Sequence, residues 1–210
     1  MKSCLLCKTT NTILYHTHKN RTFCKCLACG SVFLDPLLLP NKIDEKNRYQ
    51  LHQNNEDDIG YQNFVTPLIN EVISQTDTKQ LGLDFGSGPT PIISILLKKL
   101  GYNLLQYDPY FCNQPNVFNL KYDFIISCEV IEHLHKPLVE FTRLYSCLKE
   151  NGRLFCMTDL LPTKTEFSNW YYKNDSTHVI FYSPKSLEWI KRSCGFKSVE
   201  IKNRVIIFTK

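Results

Sequence analysis

Leu81-Gly-Leu-Asp-Phe-Gly-Ser-Gly-Pro-Thr90 is the stretch on which the architecture of this chain turns, together with Asp108 about twenty residues beyond its glycines. Leu81 to Phe85 is a short apolar run carrying an acid at Asp84. Gly86 and Gly88 supply the backbone freedom needed to reverse a strand into a helix, and Pro91 suits a first helical turn. A second apolar run, Asn103 to Tyr107, delivers Asp108 where a βαβ unit places the carboxylate that accepts both hydroxyls of a ribose. Two glycines one residue apart also fit an ordinary strand-to-helix turn, so the acid gives the pattern its meaning.

What the stretch lacks narrows the ligand. A dinucleotide loop carries a third glycine where this chain has Pro91, and a triphosphate loop ends in Gly-Lys-Ser/Thr, which is absent. An adenosine cofactor without phosphate remains, and S-adenosylmethionine fits: Asp84, Gly86, Ser87, Gly88, Asp108 and Pro109 are its expected contacts. Pro109-Tyr-Phe111 is expected to cap it.

Working outward, strands alternate with helices: strand 81–85, helix 91–100, strand 103–107, strand 122–127, helix 137–149, strand 152–159, helix 184–194, and two last strands near 196–202 and 204–209. The pattern predicts a doubly wound, Rossmann-like, mostly parallel sheet closed by a C-terminal antiparallel hairpin. The interval between Asp108 and Tyr122 is too short for a full crossover, so the third-strand region is expected to be shortened or lost. Upstream, Phe64, Val65, Leu68, Ile69, Val72 and Ile73 are spaced for one covering helix within a polar connector. The organisation expected is a cysteine-rich module over 1–36, a connector with its helix over 37–78, and a cofactor-binding domain over 79–210.

The 210 residues allow one ordinary α/β domain with a small appendage, and a hydrophobic content of 43% supports a core. No apolar run reaches the length of a membrane span and Met1-Lys-Ser-Cys lacks a signal-peptide pattern, so a cytoplasmic protein with no membrane partner is expected. The net charge of +5 is scattered and forms no basic stripe with interleaved aromatics, which does not by itself point to nucleic acid. Cys147, Cys156 and Cys194 lie in apolar runs as buried thiols.

Cys4-Leu-Leu-Cys7 and Cys26-Leu-Ala-Cys29-Gly30 are two Cys-x-x-Cys knuckles separated by eighteen residues. That is the separation at which two turns bring four thiolates around one tetrahedral zinc, with no open position for catalysis. Redox or disulfide use is the alternative, and His16, His18 and Cys24 are spare donors nearby.

The run Tyr122-Asp-Phe-Ile-Ile-Ser-Cys128 leads directly into Glu129-Val-Ile-Glu-His-Leu-His135. Strand C-termini face the ligand crevice in doubly wound sheets, so this segment should bring the acceptor to the cofactor, with Cys128 and Glu129 against the cofactor. If it is helical, Glu129, Glu132 and His133 share one face. With His178, from Asp175-Ser-Thr-His178, they make a set able to hold a divalent cation such as magnesium. Alternatively Glu132 and His133 act as catalytic groups without metal, or all are structural.

Over residues 80–210 the chain resembles the class I S-adenosylmethionine-dependent methyltransferases. Leu83-Asp-Phe-Gly-Ser-Gly88 is similar to their first motif, Asp108 to their ribose-binding acid, and Tyr122 through Leu134 to their fourth-strand motif. Leu148-Lys-Glu-Asn-Gly-Arg-Leu154 resembles the turn into their fifth strand, and Asp175 through Phe196 the common Asp-x-Thr-His ending. The N-terminal knuckles resemble zinc ribbons fused to some bacterial members. Glu129-x-x-Glu132-His133 resembles the metal motif of small-RNA 2′-O-methyltransferases and ubiquinone-pathway O-methyltransferases. The resemblance implies methyl transfer to an acceptor, a small-molecule hydroxyl or carbon first and RNA second. A non-catalytic zinc-ribbon binding module on a degenerate Rossmann scaffold is the reading from another class.

Overall fold

The computed structural model describes residues 2–51, 55 and 57–210. Two sheets organise them. The larger has six strands in the order β5-β4-β6-β7-β10-β9, built from β4 (Leu81–Phe85), β5 (Asn103–Tyr107), β6 (Tyr122–Cys128), β7 (Leu148–Met157), β9 (Ser198–Lys202) and β10 (Val205–Thr209). β5, β4, β6 and β7 run parallel, and β10 is antiparallel to both β7 and β9. The expected doubly wound sheet with its closing hairpin is therefore present. β5 forms the edge next to β4, and the interval 115–119 is a 3-10 turn where a further strand would have stood.

Period-two alternation decides which side chains meet which layer. Phe124 and Ile126 of β6, Phe155 and Met157 of β7, and Val205 and Ile207 of β10 turn to one face. There they pack on α2 (Ile59–Gln75), through Val65, Leu68, Ile69 and Val72, and on α3 (Ile92–Lys99), through Ile93 and Leu97. Ile125, Leu154, Cys156, Ile206 and Phe208 turn to the other face. They meet Phe141 and Leu144 of α4 (Pro137–Cys147) and Leu187 and Ile190 of α6 (Pro184–Cys194). α6 starts on the reciprocal Ser183–Ser186 capping pair and stops at Gly195, whose φ of 92° is open to glycine. The covering helix α2 lies where its apolar spacing predicts. The connector also contains α1 (Lys42–Gln50), which its low apolar content concealed; Asn41 caps it, accepting from Ile43 and Asp44 N–H at 2.9 and 3.0 Å.

The smaller sheet has the order β1-β2-β3-β8, formed by β1 (Thr12–His18), β2 (Arg21–Cys26), β3 (Val32–Leu34) and β8 (Ile180–Phe181). β8 comes from the far end of the chain, and Val32 and Phe33 pair with Phe181 and Ile180. The expected boundary at residue 36 thus divides the sequence and not the packing. Phe23, Phe33 and Cys26 belong to the same buried cluster as Phe141 and Phe208 of the large domain.

A buried cluster shared by the two sheets implies one unfolding transition. Replacing the fully buried Phe33 by alanine is expected to lower the stability of the whole chain by about 3–5 kcal/mol. Denaturation followed by far-ultraviolet circular dichroism and by tryptophan fluorescence should give coincident curves; early separate loss of the N-terminal sheet would contradict the shared core.

Candidate active site

The parallel strands end together, and above their C-termini lies a cavity of about 1060 Å³. One wall is the loop after β4. Gly86 and Gly88 have φ of 80° and 69°, in the region L side chains avoid. At Gly86 a Cβ would stand 2.3 Å from Val130 Cγ2, so no larger residue fits. Asp108 sits at the end of β5 and ties this wall together. Its Oδ2 accepts from Gly88 N–H at 3.0 Å, and its Oδ1 accepts from the Tyr110 and Phe111 N–H groups at 2.8 and 3.1 Å. Ser87, Pro109, Tyr110 and Phe111 line the same wall, and Cys128 and Glu129 line the floor beside it.

Asp84 is placed differently from the sequence expectation. It is buried behind the loop, accepts from Ser94 Oγ of α3 at 2.7 Å, and is not part of the cavity wall. Burial raises its carboxyl to about 6, with a bond from Ser94 opposing and the Asp108 charge adding to the rise. Its geometry suits bracing the glycine loop against α3.

The opposite wall holds the second cluster. Residues 129–133 do not form the α-helix considered from sequence: Glu129 takes φ 53° and Ile131–His133 is a single 3-10 turn. Glu129 and Glu132 therefore do not share a helix face, although both carboxyls reach the Tyr172 hydroxyl. Glu129 pairs with Arg204 at 2.9 Å, and its Oε2 lies 3.0 Å from the Tyr172 hydroxyl. That hydroxyl donates to Glu132 Oε1 at 2.5 Å. Burial pushes both carboxyls up, and at Glu129 the Glu132 charge adds to the effect.

His133 and His178 converge on Glu132, their Nε2 atoms 3.8 and 3.9 Å from its Oε1. Each Nδ1 faces a carbonyl that can only accept: Thr177 O at 3.0 Å and Tyr172 O at 2.7 Å. Both rings therefore carry the proton on Nδ1 and present a lone pair on Nε2. Burial keeps them neutral, His178 being lowered to about 3 with help from His133. Glu132, His133 and His178 each place one donor atom within 4.8 Å of the others, and Glu132 Oε2 is buried without a hydrogen-bond partner among the described residues. This set fits a divalent cation. Glu129, expected as a fourth ligand, is outside it and engaged with Arg204.

α1 closes the cavity from above with residues that sequence reasoning missed. Glu45 accepts from the Tyr110 hydroxyl at 2.6 Å and lies 3.0 Å from His135 Nε2, while the Tyr49 ring meets His133 edge-on. Arg48 pairs with Asp175 at 2.7 Å. Asn41 before Asp44-Glu45 is an N-cap signal that could have revealed the helix, but no local pattern announces its partners.

Away from the cavity, the four Sγ atoms of Cys4, Cys7, Cys26 and Cys29 all lie within 4.8 Å of one another. Cys4–Cys29 and Cys7–Cys26 are separated by 3.7 and 3.4 Å, close to the ~3.8 Å edge of a tetrahedron of zinc–sulfur bonds. A bond from Cys29 lowers the Cys4 thiol to about 5 and raises that of Cys29 itself. Sulfurs this crowded cannot all ionise without a cation among them, so the donor set fits zinc.

The strand-end cavity, glycine loop and ribose-type acid define a Rossmann-like nucleoside-cofactor enzyme. A profile of the methyltransferase domain matches residues 59–201, and the chain belongs to that family. Among solved structures, 1,6-didemethyltoxoflavin-N1-methyltransferase of Burkholderia thailandensis, with its acceptor and S-adenosylhomocysteine bound, aligns at TM-score 0.57 and 14% identity, covering 94% of this chain and 98% of that one. A SAM-dependent methyltransferase of Archaeoglobus fulgidus aligns at 0.56 and 17%, covering 70% and 94%. Human N-acetylserotonin methyltransferase in complex with SAM aligns at 0.56 and 17%, covering 79% of this chain, which spans 56% of the human one. These likenesses establish the fold. No curated protein sequence matches significantly, and among the described residues no helix is long and apolar enough to cross a membrane.

The Asp84 carboxyl makes a testable contribution. Because its folded value, about 6, lies above the ordinary 3.8, the folded state holds the proton more tightly and stability falls as pH rises between these values. The gap is worth about 3 kcal/mol. Asp84→Asn, which can still accept from Ser94, is expected to stabilise the protein at pH 7.5 relative to wild type and to lose that advantage near pH 4. Urea titrations at the two pH values measure it.

Proposed function

We propose that the chain is an S-adenosylmethionine-dependent methyltransferase acting on a small-molecule hydroxyl or carbon. The observation that carries this reading is the single cavity whose two walls do different work: Gly86, Ser87, Gly88 and Asp108 on one side, His133 and His178 on the other. Its volume stands at the top of the ordinary range for ligand pockets, which leaves room for a cofactor and an acceptor together. The roof formed by α1 favours a small acceptor over a polymer. The small-molecule acceptor in the Burkholderia relative's structure points the same way.

In this reading Asp108 receives the ribose hydroxyls and the glycine loop admits the methionine portion of the cofactor. The methyl group passes in line from the sulfonium sulfur to the acceptor atom; the sulfur–carbon bond breaks as the new bond forms. Neutral His133, which lines the cavity, takes the acceptor's proton on its Nε2 lone pair. Orientation under α1 supplies most of the acceleration. Alternatively Glu132, His133 and His178 would hold a divalent cation, which would occupy the same His133 Nε2 lone pair and, in place of the histidine base, would lower the pKa of an acceptor hydroxyl. Cys4, Cys7, Cys26 and Cys29 would hold a structural zinc.

Calorimetry with S-adenosylhomocysteine tests the reading. Wild type should bind it, and Asp108→Ala should weaken binding by about ten- to a hundredfold, the worth of hydrogen bonds to a charged acceptor. No binding to wild type would refute it. Metal analysis of the purified protein should find about one zinc per chain, lost when Cys26 and Cys29 are both changed to serine. Manganese titration followed by electron paramagnetic resonance should show one further site that Glu132→Ala removes.

A further inference from the structure

The loop that carries His178 takes its shape from the N-terminal sheet. Arg21, the first residue of β2, donates from Nη1 to the carbonyls of Lys173 and Asp175 at 2.6 and 2.7 Å, and from Nη2 to the carbonyl of His178 at 2.6 Å. Three main-chain acceptors of one loop thus converge on one half-buried guanidinium, which lies over the Phe23 ring two residues along the same strand, 5.1 Å from its centroid. Two other carbonyls of that loop, Tyr172 O and Thr177 O, are the acceptors that orient His178 and His133. The link continues through β3: Leu34 N–H donates to Val179 O at 2.8 Å, and Val179 N–H donates to Glu132 O at 2.9 Å.

We propose that Arg21 is a positioning residue of the active site. By fixing the carbonyls of residues 173, 175 and 178, it holds Tyr172 O and Thr177 O where they lock both imidazoles as Nδ1–H tautomers, with the Nε2 lone pairs turned toward Glu132. The function given above enters only in treating that pair of histidines as the acceptor side of the cavity. Lysine cannot take over the task, because an ammonium offers its donors from one point, whereas the guanidinium spreads them across a rigid plane wide enough for three carbonyls. The N-terminal segment is then a working part of the catalytic wall.

Side-chain ¹⁵N spectra of the histidines test this, with His133→Gln and His178→Gln assigning the two resonances. Wild type should show both rings as Nδ1–H. In Arg21→Lys and Arg21→Ala the two signals should move toward a tautomer mixture, and amide exchange over residues 173–179 should quicken at least tenfold. Affinity for S-adenosylhomocysteine should stay within twofold, since Asp108 and the glycine loop stand on the other wall. If Arg21→Ala does not fold, Arg21→Lys, which keeps a positive charge over Phe23, carries the test. A folded Arg21→Lys protein with both tautomers and wild-type exchange would overturn the proposal. Wild type failing to bind S-adenosylhomocysteine would instead remove the methyltransferase reading and leave the tautomer result to stand or fall alone.

Discussion

The loops leaving β4 and β6 touch at Gly86, where a single Cβ would come within 2.3 Å of Val130 Cγ2. That contact constrains everything above the sheet. Because residue 86 has no side chain, the turn after β4 lies against the segment after β6, and the two ligand walls share one floor. Parallel strands pointing the same way supply the depth of the crevice. The bare backbone of the loop supplies one face, and Glu129 through His133 begin the other. Asp108 then works on both sides of its own wall, with one oxygen on the Gly88 N–H and the other on the Tyr110 and Phe111 N–H groups. Its carboxylate is a clasp between two loops as well as the proposed receptor for ribose.

The opposite wall is an electrostatic problem with a local solution. Two carboxyls, Glu129 and Glu132, are taken out of water next to each other, where ionising both is costly. Arg204 neutralises Glu129, the Tyr172 hydroxyl donates to Glu132, and two neutral imidazoles turn lone pairs toward Glu132. Lone pairs add no positive charge, so the second carboxyl stays only partly compensated, and among the described residues its Oε2 has no hydrogen-bond partner. A buried acceptor atom with nothing to accept is rare in folded proteins. The two imidazole lone pairs lie nearer the other oxygen, Oε1, so neither imidazole supplies a donor to this carboxyl. A core of satisfied structural histidines would have carried donors toward Glu132 instead.

From Leu81 onward the architecture is legible in the sequence because the local signals agree with one another. Apolar runs of strand length, glycines at the reversals and a helix ending at Gly195 all describe one alternating fold. Gly86, Gly88 and Asp108 are legible for the same reason: their chemistry depends on spacing along the chain. What escapes is whatever depends on distant partners. Asp84 carries the motif's acid, yet whether it faces ligand or Ser94 is decided by how α3 packs. Glu129 and Glu132 stand at helical spacing, but the left-handed turn at Glu129 breaks the helix that would align them. Tyr172 and Arg204 reach the site from beyond β7 and from the final hairpin, and no pattern near either announces that destination.

The N-terminal cysteines illustrate the same division at the scale of a domain. Two knuckles eighteen residues apart predict a self-contained ribbon, and a ribbon of that size has too little core to fold without metal. In the structure the second knuckle joins β2 to β3, in a sheet whose edge strand beyond β3 is β8, a pair of residues from the C-terminal part of the chain. Phe23 and Phe33 reach the same apolar interior as the helices on that face of the large sheet. The ribbon therefore gains from the large domain the burial it cannot provide for itself. In return it contributes the strand and the guanidinium against which the 172–179 loop is built. A cation among the four sulfurs would then fix the far end of the sheet that carries Arg21, so its influence would extend through β2 and β3 to the loop behind both histidines. Sequence spacing can identify the knuckles, but only the pairing of β3 with β8 explains why their sheet lies beside the loop that carries His178.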